Sequence, residues 1–181
     1  MFFGTSFVQI MPIFADILHS GERGFGLLIS ATGLGSVAGN LFISHFQQSR
    51  RLGLLMLSCA ALAPFSLAGF SLVTGTLANA AGAFWLACFF AVLASAFSSV
   101  FLVSSMTVLQ LKVPDNLRGR VMGIHSITFS MIALGGLASG ALATKFSAPV
   151  AVVIGAVVVL SSVIWVTIRQ GEIINLDGSE L

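Results

Sequence analysis

Charged residues are scarce in this sequence. Only 8% of its 181 residues are charged and 57% are hydrophobic, and the mean hydropathy is +1.05. Soluble domains carry about 25% charged residues, since water-facing surfaces need them. The composition therefore excludes an ordinary soluble domain. The net charge of +2 comes from scattered basic residues, so we also expect no nucleic-acid partner.

Tyrosine is absent and cysteine is rare. Sixteen phenylalanines supply most of the aromatic side chains, and they suit packing against lipid because a phenol oxygen would need a hydrogen-bond partner. Cys59 and Cys88 form no C-x-x-C pair, so we expect free buried thiols. The three histidines are far apart and no carboxylate cluster accompanies them. We therefore predict no metal site and no cofactor.

Long apolar blocks dominate the chain. A block of about 20 residues spans a hydrocarbon core of roughly 30 Å. These blocks are too long for barrel strands and lack their alternation. Unpaired sheet edges are also costly in lipid. We predict an all-α membrane protein of six transmembrane helices at residues 2–18, 25–46, 52–73, 83–109, 121–143 and 148–168, forming one domain (1–168) with a polar tail at 169–181.

The basic residues are distributed unevenly between the two ends of these helices. Arg23 and Lys145 fall at one end, and the other six fall at the opposite end: Arg50, Arg51, Lys112, Arg118, Arg120 and Arg169. The end that is richer in Lys and Arg usually lies in the cytoplasm. We therefore expect an integral membrane protein with both termini in the cytoplasm.

The second and fifth predicted helices are similar to each other. Both open with an Arg-Gly pair and continue to three glycines, which are Gly33, Gly35 and Gly39 in one and Gly135, Gly136 and Gly140 in the other. The two helices begin on opposite faces of the membrane. This pattern is typical of three helices repeated in inverted topology, an arrangement found in many secondary transporters.

Two glycine pairs predict close helix packing. Gly35 and Gly39 are four residues apart, and so are Gly136 and Gly140. Each pair lies on one helix face, where a neighbouring backbone can approach closely. Ser95, Ser98 and Ser99 of the fourth helix are expected to hydrogen-bond to carbonyls of their own helix or across to a neighbour.

Two stretches resemble a known family. The sequence Pro-Asp-Asn-Leu-Arg-Gly-Arg-Val-Met-Gly at residues 114–123 resembles the loop between helices ten and eleven of an efflux subgroup of the major facilitator superfamily. That subgroup includes enterobactin exporters and macrolide efflux proteins. The run from Gly24 to Gly39 resembles the start and body of its helix eight. The resemblance implies helices seven to twelve, an inverted three-plus-three repeat that makes one half of a major facilitator fold.

The resemblance also implies a function. It implies secondary active efflux of a small organic molecule, a drug or a siderophore, by proton antiport in a bacterial inner membrane. Besides membrane lipid, the implied partner is a missing N-terminal six-helix half, from the same gene or a neighbouring chain, or a second copy of this chain. The alternative is a non-transporting structural subunit or a channel-like component. Residues 44–51 keep a basic pair but lack the family's acid, which leaves a salt bridge within this loop unsupported.

A polar stripe on the first helix is the main candidate for a substrate path. Gln9 and Asp16 are two helical turns apart with Ile13 between them, so all three share a face. Asp16 is the only acid inside an apolar block, where ionisable groups are costly and usually functional. It belongs either to a proton-responsive path or to a hydrated outer interface. Phe97 and Phe129 either line an apolar cavity or pack against lipid and core.

The other candidates lie near the predicted cytoplasmic face. His125 can titrate near neutral pH, so a proton-responsive role and a structural hydrogen bond both fit it. The charged loop residues either form a latch between access states or are simply solvated: Arg50, Arg51, Asp115, Arg118 and Arg120.

Catalytic motifs are missing. Neither Gly-Leu-Gly-Ser at 33–36 nor Ala-Ser-Gly at 138–140 matches the Gly-x-Ser-Gly signature of intramembrane serine proteases. The sequence contains no HExxH zinc motif and no P-loop. We therefore predict that the chain is not an enzyme.

Overall fold

The computed structural model describes residues 11–46 and 52–169, and this part of the chain is helical throughout apart from short connections. Its helices are α1 (Met11–Ile17), α2 (Gly21–Phe46), α3 (Leu52–Thr76), α4 (Ala83–Lys112), α5 (Asp115–Lys145) and α6 (Ala148–Arg169). Within the described residues, the five helices α2 to α6 are long and apolar enough to cross a membrane. The all-α membrane class is thereby confirmed.

The first predicted crossing is described only in part. Its described portion is α1, which has seven residues, and residues 1–10 lie outside the described part. The other five crossings agree with the sequence prediction, although α2 begins earlier, at Gly21, and α5 begins earlier, at Asp115.

The connection between α4 and α5 is much shorter than the sequence prediction. Only Val113 and Pro114 separate the two helices. Val113 is extended (φ −91°, ψ 123°), as the residue before a proline prefers, and Pro114 stands at the N-cap of α5. A proline is tolerated there because no intrahelical N–H bond is lost. Asp115, Arg118 and Arg120 therefore lie in the first turns of α5 and not in a loop.

The central helix of the bundle is α4. It packs against α2 on one side and α3 on the other, α3 packs against α6, and α5 packs mainly against α6. We call the end where α4 and α6 terminate the basic end and the opposite end the far end. Trp85 at the far end is 70% exposed and Trp165 at the basic end is 59% exposed. Tryptophan concentrates at membrane–water interfaces, and an exposed tryptophan near each end of the bundle agrees with a membrane-spanning orientation.

The largest apolar cluster joins α1 to the other helices near the far end. Phe14 of α1 and Phe70 of α3 are fully buried, and their rings meet edge to face with centroids 4.8 Å apart. The α4 side chains in this cluster are all small: Ala83, Ala87, Ala91 and Ala94. Small side chains let α3 come close to α4, as is usual between membrane helices.

The far ends of α3 and α6 are joined by a polar contact. The Ser71 hydroxyl donates a hydrogen bond of 2.5 Å to the Pro149 carbonyl oxygen. One turn further along α3, a Cβ on Gly75 would lie 3.2 Å from the Pro149 ring. The start of α6 is therefore held tightly against α3.

Replacing Phe70 tests the importance of the buried ring pair. We expect Phe70→Ala to lower the free energy of unfolding by about 3 kcal/mol, because it leaves a cavity beside Phe14 that the helices cannot close. The control is Phe65→Ala on the same helix, where the ring is 61% exposed and lipid or detergent replaces its contacts. Equal losses for the two variants, measured by thermal unfolding in detergent, would contradict this account of the core.

Candidate functional site

The backbones of α2 and α4 approach each other closely at two glycines. A Cβ on Gly39 would lie 2.6 Å from the carbonyl oxygen of Ala96, and a Cβ on Gly35 would clash with the carbonyl oxygen of Val92. Both contacts involve backbone atoms, which cannot rotate away as the end of a side chain could. Glycine at these two positions therefore allows α2 and α4 to touch.

A row of hydrogen bonds follows from this contact. The Ser95 hydroxyl donates to the Thr32 carbonyl oxygen at 2.6 Å. One turn on, the Ser99 hydroxyl lies 3.4 Å from the Ser36 carbonyl oxygen and 2.7 Å from the Asn40 side-chain oxygen. We call these five residues the hydroxyl seam. The seam runs from the middle of α2 towards the basic end, and α2 and α4 run in the same direction along it.

The seam is buried at its start and open at its end. Thr32 is buried, Ser36, Ser95 and Ser99 are half-buried, and Asn40 is exposed. The hydroxyls of Thr32 and Ser36 donate to carbonyls of their own helix, so α2 offers mainly backbone oxygens to α4. None of these groups titrates near neutral pH. The seam can therefore hold helices together and hydrogen-bond a polar group at its open end, but it contains no group that gains or loses a proton near neutral pH.

The sequence indicated the α4 serines of the hydroxyl seam but not its α2 residues. The prediction for the α4 serines is confirmed for Ser95 and Ser99, which bond across to α2. Thr32, Ser36 and Asn40 were missed. Their spacing of four residues matches the spacing of Ser95 and Ser99, and a comparison of polar spacings between helices could have revealed them.

The structure describes three of the five residues of the predicted substrate path. Asp16 is exposed at the end of α1, at the far end, and Ile13 is 41% exposed. Phe97 is half-buried and packs in a second apolar cluster with Ile43, Cys59 and Val100. Gln9 and the side chain of Phe129 lie outside the described residues. A shared path through these five positions stays a prediction.

The charged candidates are described only in part. Arg120 is exposed and His125 is half-buried in α5. Arg50, Arg51 and the side chains of Asp115 and Arg118 lie outside the described residues. The latch and proton-responsive roles stay predictions.

The two glycine pairs have different surroundings. Gly35 and Gly39 meet α4, whereas a Cβ on Gly140 would have no atom within 4 Å, and Gly136 is half-buried. Among the described residues of α5 only Gly135 and Ser139 are buried, because α5 packs mainly against α6. The close approach expected at Gly140 is therefore not made in this structure, and one face of α5 is open.

Five apolar crossings, four of which are joined by glycine contacts and interhelical hydroxyl bonds, define an integral membrane protein of packed helices. The sequence model of the Major Facilitator Superfamily matches residues 1–180, and the chain belongs to this superfamily. Membership makes it a secondary transporter protein and not an enzyme, as the sequence predicted. No curated protein and no solved structure matches the chain significantly.

A methyl group at Gly35 tests the backbone contact. We expect Gly35→Ala to cost about 1–3 kcal/mol of unfolding free energy, because α2 and α4 must separate to make room. Gly33→Ala is the matched control, since a Cβ on Gly33 of the same helix meets no atom within 4 Å. Thermal unfolding in detergent measures both. If Gly35→Ala is as stable as Gly33→Ala, the two backbones do not touch at this position.

Proposed function

We propose that the chain exports a small organic molecule by proton antiport, as the second six-helix half of a transporter that closes around a cleft at mid-membrane. The observation that carries this proposal is the open end of the hydroxyl seam. Asn40 is exposed within the apolar span of α2, where lipid offers no hydrogen-bond partner to an amide. A second helical body facing α2 would enclose Asn40 and Ser99 in a polar cleft.

The open face of α5 supports the need for a second body. Leu134 and Leu137 are exposed on this helix, and Gly140 has free space beside it. In an inverted repeat α2 and α5 hold equivalent positions, so their exposed faces would flank the same cleft. The second body is either an N-terminal six-helix half or another copy of this chain.

The proposed direction of transport, which is export, and the proposed use of protons as its energy source rest on the resemblance of residues 114–123 to the efflux subgroup. Its members imply a drug-like or siderophore substrate, a bacterial inner membrane and cytoplasmic termini. The excess of basic residues at the basic end agrees with a cytoplasmic location of that end. Asp16 and His125 are the titratable residues to which we assign the response to protons. A purely structural subunit is the competing function, since it needs no cleft and no proton.

Transport by the chain alone and with a partner separates these functions. We expect cells that express this chain together with an N-terminal six-helix half of the same superfamily to accumulate less of a fluorescent drug than cells that express either alone. The physical reason is that one half exposes only one wall of the cleft. Robust drug transport by the purified chain alone, at a protein density too low for self-association, would overturn the two-body arrangement. A pair with no transport of drugs or siderophores would favour a structural subunit.

The seam end can be tested within the active pair. We expect Asn40→Leu to reduce export about fivefold, the effect of losing one hydrogen bond of about 1 kcal/mol to the substrate or cleft water. Asn79→Leu is the matched control, because Asn79 is exposed in the connection between α3 and α4. Initial export rates, normalised to protein in the membrane, measure the effect. Export that is unchanged by Asn40→Leu would remove Asn40 from the cleft.

A further inference from the structure

A cavity lies away from the hydroxyl seam. Helices α3, α4 and α6 surround a half-open cavity of about 240 Å³ in the half of the bundle near the basic end. Its lining includes Ala60, Ala63 and Pro64 of α3, Phe101 of α4, and Val163 and Val166 of α6. We call it the α3–α6 groove.

A polar contact joins α3 and α6 at the far end, and the groove opens between these two helices nearer the basic end. At the far end the Ser71 hydroxyl bonds to Pro149 and Gly75 lets the proline ring approach α3. Nearer the basic end, Pro64 lies in the middle of α3, which continues as a helix on both sides of it. A proline inside a helix removes one backbone hydrogen bond and bends the helix. Ala60 and Ala63 beside it are too small to fill the space between the two helices.

The lining of the groove favours a slim apolar occupant. Its only polar side chains are Ser98 and Ser162, and the Ser162 hydroxyl already donates to the Val159 carbonyl oxygen at 2.7 Å. The volume is below the roughly 300–1,000 Å³ of sites for drug-sized molecules. The groove therefore does not suit the transported molecule, but it suits a hydrocarbon chain.

A positive charge lies about one helical turn beyond the groove lining on α6. Arg169 is three residues beyond Val166 at the basic end of α6, and its guanidinium lies 5.2 Å from the ring centre of Trp165. Both side chains are exposed. Because tryptophan lies at the level of lipid headgroups, Arg169 is at the height of the lipid phosphates, which a guanidinium binds strongly.

We propose that the α3–α6 groove binds one acyl chain of an anionic phospholipid from the leaflet at the basic end, with Arg169 paired to its headgroup. The lipid fills the space that Pro64 and the two alanines leave open, and so it adds apolar contacts between α3 and α6 in this part of the bundle. This proposal does not depend on what the chain transports.

Tryptophan fluorescence tests this lipid site directly. The chain has two tryptophans, so Trp85→Phe leaves Trp165 as the only reporter. This variant is placed in phosphatidylcholine bilayers with a rising fraction of phosphatidylglycerol whose acyl chains carry bromine, a quencher. We expect quenching of Trp165 to show about a fivefold preference for the anionic lipid, the factor that one basic residue contributes beside an anionic surface.

Two kinds of change should abolish the preference. Arg169→Gln removes the charge, and Ala63→Phe or Val163→Phe fills the groove. Thermal unfolding identifies any variant that misfolds. One correctly folded groove-filling variant is enough for the test. Arg23→Gln at the far end is the charge control and should leave the preference unchanged. The reverse reporter, Trp165→Phe, leaves Trp85 at the far end and should show none.

Three results would overturn the proposal. Equal quenching of Trp165 by brominated phosphatidylcholine and phosphatidylglycerol would mean that the site does not select charge. A preference that survives a folded groove-filling variant would mean that Arg169 attracts lipid without the groove. A preference that survives Arg169→Gln would mean that another group binds the headgroup.

Discussion

The structure depends on the contact between the backbones of α2 and α4. Lipid gives apolar helices no hydrophobic reason to associate, so close packing and interhelical hydrogen bonds must hold them. Gly35 and Gly39 bring the two backbones together. Only at that separation can the hydroxyls of Ser95 and Ser99 reach across to α2. Helix α3 packs against α4, whose buried side chains in the main apolar cluster are alanines, and α6 packs against α3.

The resulting bundle is packed unevenly. The helices α2, α3, α4 and α6 form a connected body, whereas α5 is attached mainly through α6. The packed body covers neither Asn40, at the exposed end of the hydroxyl seam, nor the exposed face of α5. In the transporter that we propose, the packed body moves as a unit, and the open faces are the surfaces that a second half covers and uncovers.

The sequence predicted the positions of the membrane-crossing helices better than it predicted the connections between them. Hydropathy gives the positions of α2, α3, α4 and α6 to within a few residues, because a span must match the thickness of the membrane. It overextended the connection before α5, since the charges of Arg118 and Arg120 resemble a loop although the backbone there is helical. Charge at the end of a span says that water is near, not that the helix has ended.

Lateral packing was harder to predict because these helices are apolar on most faces, so periodicity does not say which face meets which neighbour. The glycine spacing of four residues occurs in both α2 and α5, yet both glycines of the α2 pair meet a backbone, whereas a Cβ on Gly140 of α5 would meet no atom within 4 Å. The seam needed two helices to be compared at once. The groove required Pro64 of α3 to be placed opposite α6, which no local sequence pattern contains.

Cross-linking between α2 and α4 tests the central contact most directly. Asn40→Cys and Ser99→Cys are combined in a chain whose native cysteines, Cys59 and Cys88, are replaced by alanine. The pair should join rapidly under mild oxidation or with the shortest bifunctional thiol reagent, because the two native side chains are 2.7 Å apart. Leu41→Cys with Ser99→Cys should not join, since Leu41 is 68% exposed and lies about 100° around α2 from Asn40, away from α4. Cross-linking of the Leu41 pair in place of the Asn40 pair would contradict the packing of α2 against α4.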